Sequence, residues 1–336
     1  MKAVSAQWEP VANGGSGRAR LCACSHQAGT GQGRPGLRQP AHERESRMMT
    51  MTSPLAIGAH LSCKDGYLKM AEDAVSIGAS TFQFFTRNSH GGYEKELVED
   101  DVIAFRAYAD EHGIGSFFAY APYSVNPASD AMKERDFSEM VLAEDLARME
   151  QTPHQFYALH PGHGMGRPED EAIAAAAEMM NKVMTPQQTT TVLFVGSAGE
   201  GTAICSTFEG MGKLLGQLKL ADHAGVCFDT SAAWAAGYDI VNDLDGVLER
   251  FDQAVGLDRI REVHLTDSKE DRGSRVDRHA TPGQGTIGFE ALVRVMEHPK
   301  LAGVPLILEI PRSDLALYKT QIEAFKMAFG HGGSRE

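Results

Sequence analysis

The chain has 336 residues, of which 42% are hydrophobic and 23% charged, a composition typical of a globular protein with one large or two ordinary domains. No apolar run approaches the roughly 18 residues that span a bilayer, and the N-terminus lacks the apolar segment of a secretory signal. We therefore expect a cytoplasmic protein without a membrane-spanning part. Five cysteines at scattered positions predict reduced thiols and no disulfide framework.

The first fifty residues differ in kind from the rest. They contain seven glycines and seven Lys or Arg but only three Glu, with no helix or strand period. We predict a disordered extension at residues 1–50 and a single folded domain at residues 51–336. Because the extension carries +4 of the total charge of −13, the domain carries −17. Such an acidic domain argues against broad, non-specific binding of nucleic acid, although a local basic rim could still hold phosphates.

From Ile57 onward, short apolar β runs alternate with amphipathic helical stretches. The predicted strands span residues 57–60, 81–85, 116–121, 156–160, 191–195, 226–229, 262–265 and 306–309. The predicted helices span residues 64–77, 100–112, 130–149, 169–184, 206–220, 240–255, 289–297 and 315–329. Eight β/α units fit a (β/α)8 TIM barrel, and a doubly wound open sheet is the alternative.

Two pairs of glycines follow predicted strand ends, Gly199 with Gly201 and Gly283 with Gly285. Neither pair has the spacing of a phosphate-binding P-loop or of a dinucleotide fingerprint. We predict sharp turns at both positions.

Imidazole and carboxylate groups collect where the predicted strands end. Because the carboxyl ends of parallel strands share one face of a barrel, we expect these side chains to converge. A lone His at such a place is more often structural, and a lone Asp or Glu more often caps a helix. Several together, however, form a ligand set for a divalent ion such as zinc or manganese. The residues at the predicted mouth are His60, Tyr120, His160, Val195, Asp229, His264 and Glu309, with Asp277 and His279 on the loop after the seventh strand.

Short motifs from residue 57 to residue 329 carry a family resemblance. They are Ile-Gly-Ala-His (57–60), Phe-Gln-Phe-Phe-Thr-Arg-Asn (82–88), Ala-Pro-Tyr (121–123), His-Pro-Gly (160–162), Ala-Gly-Glu-Gly (198–201), Asp-Thr (229–230), Ala-Gly-Tyr-Asp (236–239), His-Leu-Thr-Asp-Ser-Lys (264–269), Asp-Arg-His (277–279), Gly-Gln-Gly-Thr-Ile-Gly (283–288) and Leu-Glu (308–309). Together they resemble the endonuclease IV family of abasic-site endonucleases, also called deoxyribonuclease IV.

The resemblance implies a TIM barrel with three zinc ions, which activate a hydroxide and stabilise charge on a DNA phosphate 5′ to an abasic sugar. It assigns no protein side chain as the nucleophile, because a metal-bound hydroxide has that role. The implied partner is DNA with abasic sites, and we expect a monomer. The metal-ligand positions that match the family are His160, Asp229, His264, Asp277, His279 and Glu309.

Three ligand positions differ from the family pattern. Tyr120 and Ala232 each stand where the family has a His, and Val195 stands where it has a bridging Glu. By this analogy one ligand set is complete, formed by Asp229, His264 and Glu309. We therefore predict a divalent metal centre, with zinc the first choice, that holds fewer than three ions.

The resemblance also implies two residues that face DNA, Asn88 and Tyr123. His90 stands where relatives commonly have an Arg that enters the DNA, and Tyr123 could instead pack on the rim of the barrel. The substituted ligands leave three functions open. They are an abasic-site endonuclease, a non-catalytic relative of that family, and a mononuclear metal enzyme that acts on a sugar or sugar phosphate in the manner of an isomerase.

Overall fold

The structure, a computed structural model, describes residues 55–89, 97–311 and 314–331. The predicted extension at residues 1–50 and the substituted position His90 lie outside this part of the chain. Among the described residues, no helix is long and apolar enough to cross a membrane.

Eight parallel strands close into a barrel, because the first strand pairs with both the second and the last. This ring confirms the predicted TIM barrel and rules out the open, doubly wound sheet. The observed strands reproduce the predicted ones closely at both ends. They are β1 (Ile57–Leu61), β2 (Thr81–Phe85), β3 (Phe117–Tyr120), β4 (Phe156–Leu159), β5 (Thr191–Val195), β6 (Ala224–Asp229), β7 (Ile260–His264) and, after an inserted hairpin, β10 (Leu306–Leu308).

The helices follow the strands in alternation. They are α1 (Tyr67–Ser76), α2 (Glu99–His112), α3 (Met132–Met149), α4 (Glu169–Val183), α5 (Phe208–Leu215), α6 (Thr230–Ala236), α7 (Leu244–Ala254), α8 (Phe289–Glu297) and α9 (Leu315–His331). Short 3-10 helices occur at Ala221–His223, Leu257–Arg259 and Pro299–Leu301. Helix α6 and an antiparallel pair, β8 (Asp267–Ser268) with β9 (His279–Ala280), were not predicted from the sequence.

The barrel has two separate apolar regions. The larger region fills the space between the strands and the surrounding helices. The smaller region lies inside the ring and contains Phe118, Tyr120, Ala158, Leu193, Val195, Cys227 and Ile307. Because successive side chains of a strand point to opposite faces, residues two apart share the interior. A residue at the mouth therefore has another interior residue directly beneath it, as Val195 has Leu193.

Candidate metal centre

Three ligand-type side chains meet where β6, β7 and β10 end. Asp229 is the last residue of β6, His264 is the last residue of β7, and Glu309 directly follows β10. One ligand atom from each lies within 4.8 Å of the other two. The Nδ1 atom of His264 is 3.2 Å from Oδ2 of Asp229 and 3.9 Å from Oε1 of Glu309. The structure thus brings together the set that the sequence singled out as complete.

Asp229 is held in place by the helix that it starts. Its Oδ1 atom accepts a hydrogen bond from the backbone N–H of Ala232 at 2.8 Å, which makes it the N-cap of α6. The hydroxyl of Thr230 donates to the carbonyl of His264 at 3.0 Å, which ties the ends of β6 and β7 together. The second carboxylate oxygen of Asp229 therefore remains directed at the His264 ring.

The charges of this set are strongly coupled. Burial alone would lower the pKa of His264, but the acidic groups around its ring, first Cys227 and Glu309, raise that pKa well above its usual range. Burial alone would raise the pKa of Glu309, but His264 and His60 hold it far below its usual range. In the metal-free state, a protonated His264 thus balances the nearby carboxylates. A metal ion at Nδ1 would have to displace that proton.

A cavity of about 370 Å³ opens in front of the set. Its size falls in the range of small-molecule and cofactor sites. The lining includes Asp229, Asp277, His279, Glu309, His160 and Tyr123. His264 lies deeper, since only 1% of its surface is exposed.

His160 faces the cavity, but its ring is already bonded within the protein. Its Nε2 atom lies 2.9 Å from the hydroxyl of Tyr120. Burial lowers the pKa of His160 and raises the pKa of Tyr120 well above its usual range, so the imidazole is neutral and the hydroxyl keeps its proton. Their hydrogen bond occupies Nε2 of His160 in either ring tautomer, so this nitrogen is not open to a metal ion. His160 is not part of the three-residue set, as expected because Tyr120 and Val195 replace the other ligands of its predicted metal position.

The other two substituted positions offer no metal ligand. Val195 and Ala232 are 1% and 3% exposed, respectively, and neither side chain has a donor atom. Val195 belongs to the apolar cluster inside the barrel.

Asp277 and His279 lie at the hairpin formed by β8 and β9. His279 is the first residue of β9, and its Nε2 atom is 3.3 Å from Oδ1 of Asp277. The hydroxyl of Ser231 donates to the same carboxylate oxygen at 2.9 Å. The Nδ1 atom of His279 is 3.7 Å from Oε2 of Glu309, which links this pair to the main set. The structure therefore places all six predicted ligands at one mouth, but only three of them within mutual reach of a single ion.

Two polar residues beneath the mouth were not among the predicted site residues. Gln83 of β2 and Glu262 of β7 are both fully buried. The side-chain amide of Gln83 contacts His264 and Glu309, and Oε1 of Glu262 lies 3.4 Å from Nε2 of His264. The available signals were a Gln flanked by Phe residues in β2 and, for Glu262, a position two residues before His264.

The two residues predicted to face DNA lie on the rim. Asn88 is exposed and follows β2. Tyr123 is 57% exposed, and its ring packs edge-on against Phe85 at 5.3 Å and lies 6.2 Å from the ring of His160. Tyr123 thus packs on the rim through one edge and leaves much of its ring open to the solvent.

Known proteins resemble this chain over most of its length. The family described as a xylose isomerase-like TIM barrel matches residues 71–328. A protein named probable endonuclease 4 from Alkaliphilus oremlandii is 43% identical over 275 residues, covering 82% of this chain and 98% of that protein. A protein of the same name from Akkermansia muciniphila is 43% identical over 258 residues, covering 77% and 93%.

Solved structures give the same result. The crystal structure of endonuclease IV from Thermus thermophilus has a TM-score of 0.74 and 32% identity, covering 82% of this chain and all of that one. D-psicose 3-epimerase from Clostridium cellulolyticum H10 has a TM-score of 0.58 at 11% identity, covering 82% and 99%, and shares the fold alone. From its sequence and its barrel, the chain belongs to the endonuclease IV family.

Proposed function

We propose that this chain is a metal-dependent phosphodiesterase that acts on DNA at abasic sites, with a metal centre reduced to one complete ligand set. The observation that carries the proposal is the meeting of Asp229, His264 and Glu309 at the mouth of a barrel of this family. Family membership supports the substrate and the reaction, and the substituted ligands support a weakened centre.

The donor set fits a divalent ion. Two carboxylates and one imidazole suit zinc, which accepts both nitrogen and oxygen ligands and keeps three protein ligands at catalytic sites. One oxygen of Asp229 is used by the α6 N-cap, so the other is the available donor. A divalent ion held there would supply Lewis-acid polarisation of a phosphate oxygen.

The remaining residues of the cavity would bind and orient the substrate. His279 carries a positive charge at neutral pH, because Asp277 beside it raises its pKa to about 9 against the opposing effect of burial. That charge lies at the cavity wall, where it would attract a phosphate. The open face of Tyr123 offers a stacking surface at the rim for a base or a sugar.

A second candidate is a non-catalytic member of the family that binds damaged DNA. The observation that favours it is the hydrogen bond between Tyr120 and His160, which closes one metal position of the family. A clamp of two ions on one phosphate is then not available.

A nicking assay separates the two candidates. The substrate is a duplex with one abasic site, and the assay is run with added zinc and after chelation. We expect slow, zinc-dependent cleavage at the abasic site only. We expect no cleavage by a His264→Gln variant and no cleavage of an undamaged duplex. Binding without cleavage at any zinc concentration would contradict the phosphodiesterase and leave the binding protein.

A further inference from the structure

We propose that Gln83 is a positioning residue for the metal centre, which fixes the tautomer of His264 and the orientation of Glu309. The proposal rests on the metal centre proposed above. It concerns a residue in the layer beneath the ligands, which contacts two of the three ligands and would not touch the metal itself.

The side chain of Gln83 is enclosed by polar partners. It is fully buried and reaches into the barrel from β2. Its amide nitrogen lies 2.7 Å from Oε1 of Glu309 and 3.0 Å from Nδ1 of His60. Its amide oxygen lies 2.8 Å from Nε2 of His264. This one side chain of β2 thus contacts groups from three other strands or strand ends.

The chemistry of these partners fixes how the amide is oriented. A carboxylate can only accept hydrogen bonds, so the amide atom that faces Glu309 must be the NH2 group. The carbonyl oxygen of Gln83 must then face His264, and since that oxygen can only accept, Nε2 must carry a proton. The orientation of the amide therefore follows from its partners and does not depend on telling N from O.

The protonation of Nε2 decides which His264 nitrogen binds a metal. A metal-binding imidazole is neutral and carries one proton, so a proton on Nε2 leaves the lone pair on Nδ1. The Nδ1 atom is the one that faces Asp229 and Glu309. Gln83 thus presents the correct nitrogen to the ion and holds a Glu309 oxygen beside it. Partners of this kind, bonded to the far nitrogen of a ligand His, commonly set metal affinity.

Glu262 provides a matched comparison. It is also fully buried and lies in the same layer, with Oε1 3.4 Å from the same Nε2 atom. Neither of its carboxylate oxygens makes a hydrogen bond among the described residues. Gln83 is both nearer to Nε2, at 2.8 Å, and hydrogen-bonded to it, so the positioning role belongs to Gln83 although Glu262 lies in the same layer.

The position of Gln83 in the barrel explains why one side chain can hold two ligands. Gln83 pairs in register with His60 on the neighbouring strand β1. In the ring, β1 is followed by β10 and then β7, which lead to Glu309 and His264. The amide of Gln83 therefore reaches past β1 to the strands that lead to Glu309 and His264. Strand β2 does not pair with either of these strands in the barrel.

The test compares zinc affinity in the parent, Gln83→Met and Glu262→Gln, measured by competition with a chromophoric chelator. Methionine keeps the length of the glutamine side chain but removes its hydrogen bonds. We expect Gln83→Met to bind zinc about 10–100-fold more weakly, the usual effect of losing such a partner. We expect Glu262→Gln to remain within a few-fold of the parent. Circular dichroism confirms that each variant is folded.

A second readout follows the imidazole itself. In zinc-loaded protein labelled with 15N-histidine, nuclear magnetic resonance should show His264 bound through Nδ1, with a slowly exchanging proton on Nε2. That proton should exchange faster in Gln83→Met and stay slow in Glu262→Gln. Unchanged affinity and exchange in Gln83→Met, or an equal loss in Glu262→Gln, would overturn the role of Gln83. A parent that binds no zinc would instead overturn the metal centre, and this role with it.

Discussion

The hydroxyl of Tyr120 is hydrogen-bonded to Nε2 of His160 and thereby closes that nitrogen to a metal ion. Tyr120 is buried and His160 is partly buried, and burial keeps both groups uncharged, so the contact between them is a neutral hydrogen bond. A tyrosine at position 120 can in this way close a metal position while the Tyr120 hydroxyl and Nε2 of His160 each keep a hydrogen-bond partner.

We expect Tyr120→Phe to destabilise the protein by about 1–3 kcal/mol, because it leaves the partly buried His160 without its hydrogen-bond partner at Nε2. Urea unfolding measures this loss. Tyr123→Phe is the control, since that ring is 57% exposed and its hydroxyl is not the donor to His160. Equal destabilisation by the two substitutions would show that the hydrogen bond between Tyr120 and His160 makes no specific contribution to the free energy of unfolding.

His279 makes the stability of the metal-free protein depend on pH. Burial opposes its charge, but Asp277 raises its pKa from 6.5 to about 9. A pKa that is raised in the folded state stabilises the protein fully below the unfolded value and loses that effect as pH rises through the folded value. Stability should therefore fall between about pH 6.5 and pH 9.

Urea unfolding of chelator-treated protein at several pH values tests this expectation. His279→Gln should show a shallower decline over the same pH window than the parent. The raised pKa of His264 acts in both proteins, so the difference between their curves isolates His279. Parallel curves would exclude a stabilising charge on His279.

At the scale of elements, the loop of residues 281–288 is held by Asp267. One carboxylate oxygen of Asp267 accepts from the backbone N–H groups of Gly283 and Gly285 at 2.9 and 3.0 Å. The other accepts from Ile287 at 3.0 Å. The backbone N–H groups that a phosphate-binding loop would use are thus bonded to the protein's own carboxylate, in agreement with the turn predicted from the sequence.

We expect Gly285→Ala to destabilise the protein by about 1–3 kcal/mol, the usual cost of forcing atoms into a packed site. A Cβ atom there would lie 2.2 Å from the backbone oxygen of Ser268 and 2.4 Å from Oδ1 of Asp267. Gly115→Ala is the control, because its nearest neighbour would be 3.9 Å away. Urea unfolding of the two variants gives the comparison. If both are equally stable, the loop can shift away from β8 without cost.

Sequence patterns predicted the elements better than they predicted the layer beneath the mouth. Alternating apolar runs and helical periods were sufficient for the eight barrel strands and their main helices. Helix α6 has seven residues, too few for a helical period to be visible. Strands buried on both faces read as continuous apolar runs, so periodicity does not show that Gln83 and Glu262 point inward. Their partners are distant in sequence, since Gln83 and Glu309 are 226 positions apart.

At the scale of the whole molecule, we expect the parent to keep about one tightly bound zinc ion per chain after dialysis. Of the six predicted ligands, Asp229, His264 and Glu309 alone form a group with the three protein ligands that a zinc site normally keeps. Elemental analysis gives the number directly, and His264→Gln is the control that should lose the ion. Three ions per chain in the parent would show that water or unforeseen ligands compensate for the substituted positions.

The final prediction is that the substituted ligands, and not the barrel, limit nuclease activity. Tyr120→His would return a ligand beside His160, Val195→Glu would supply a carboxylate able to bridge two ions, and Ala232→His would add a ligand near Asp277. Because these changes act on one cluster, their effects should be strongly non-additive, with little gain from each and a large gain from all three. The physical reason is that a clamp on one phosphate requires both ions before either can stabilise the attacking and leaving oxygens.

Cleavage of abasic-site DNA at equal zinc concentration, by the parent, the three single variants and the triple variant, measures this dependence. Zinc content is determined on the same samples, so that a gain in rate can be related to a gain in bound ions. Val195 is only 1% exposed, and a glutamate there would be a buried charge without a metal. The triple variant should therefore be less stable than the parent after chelation and recover with zinc. A parent that cleaves as fast as the triple variant would show that one ion in this barrel is sufficient for the reaction.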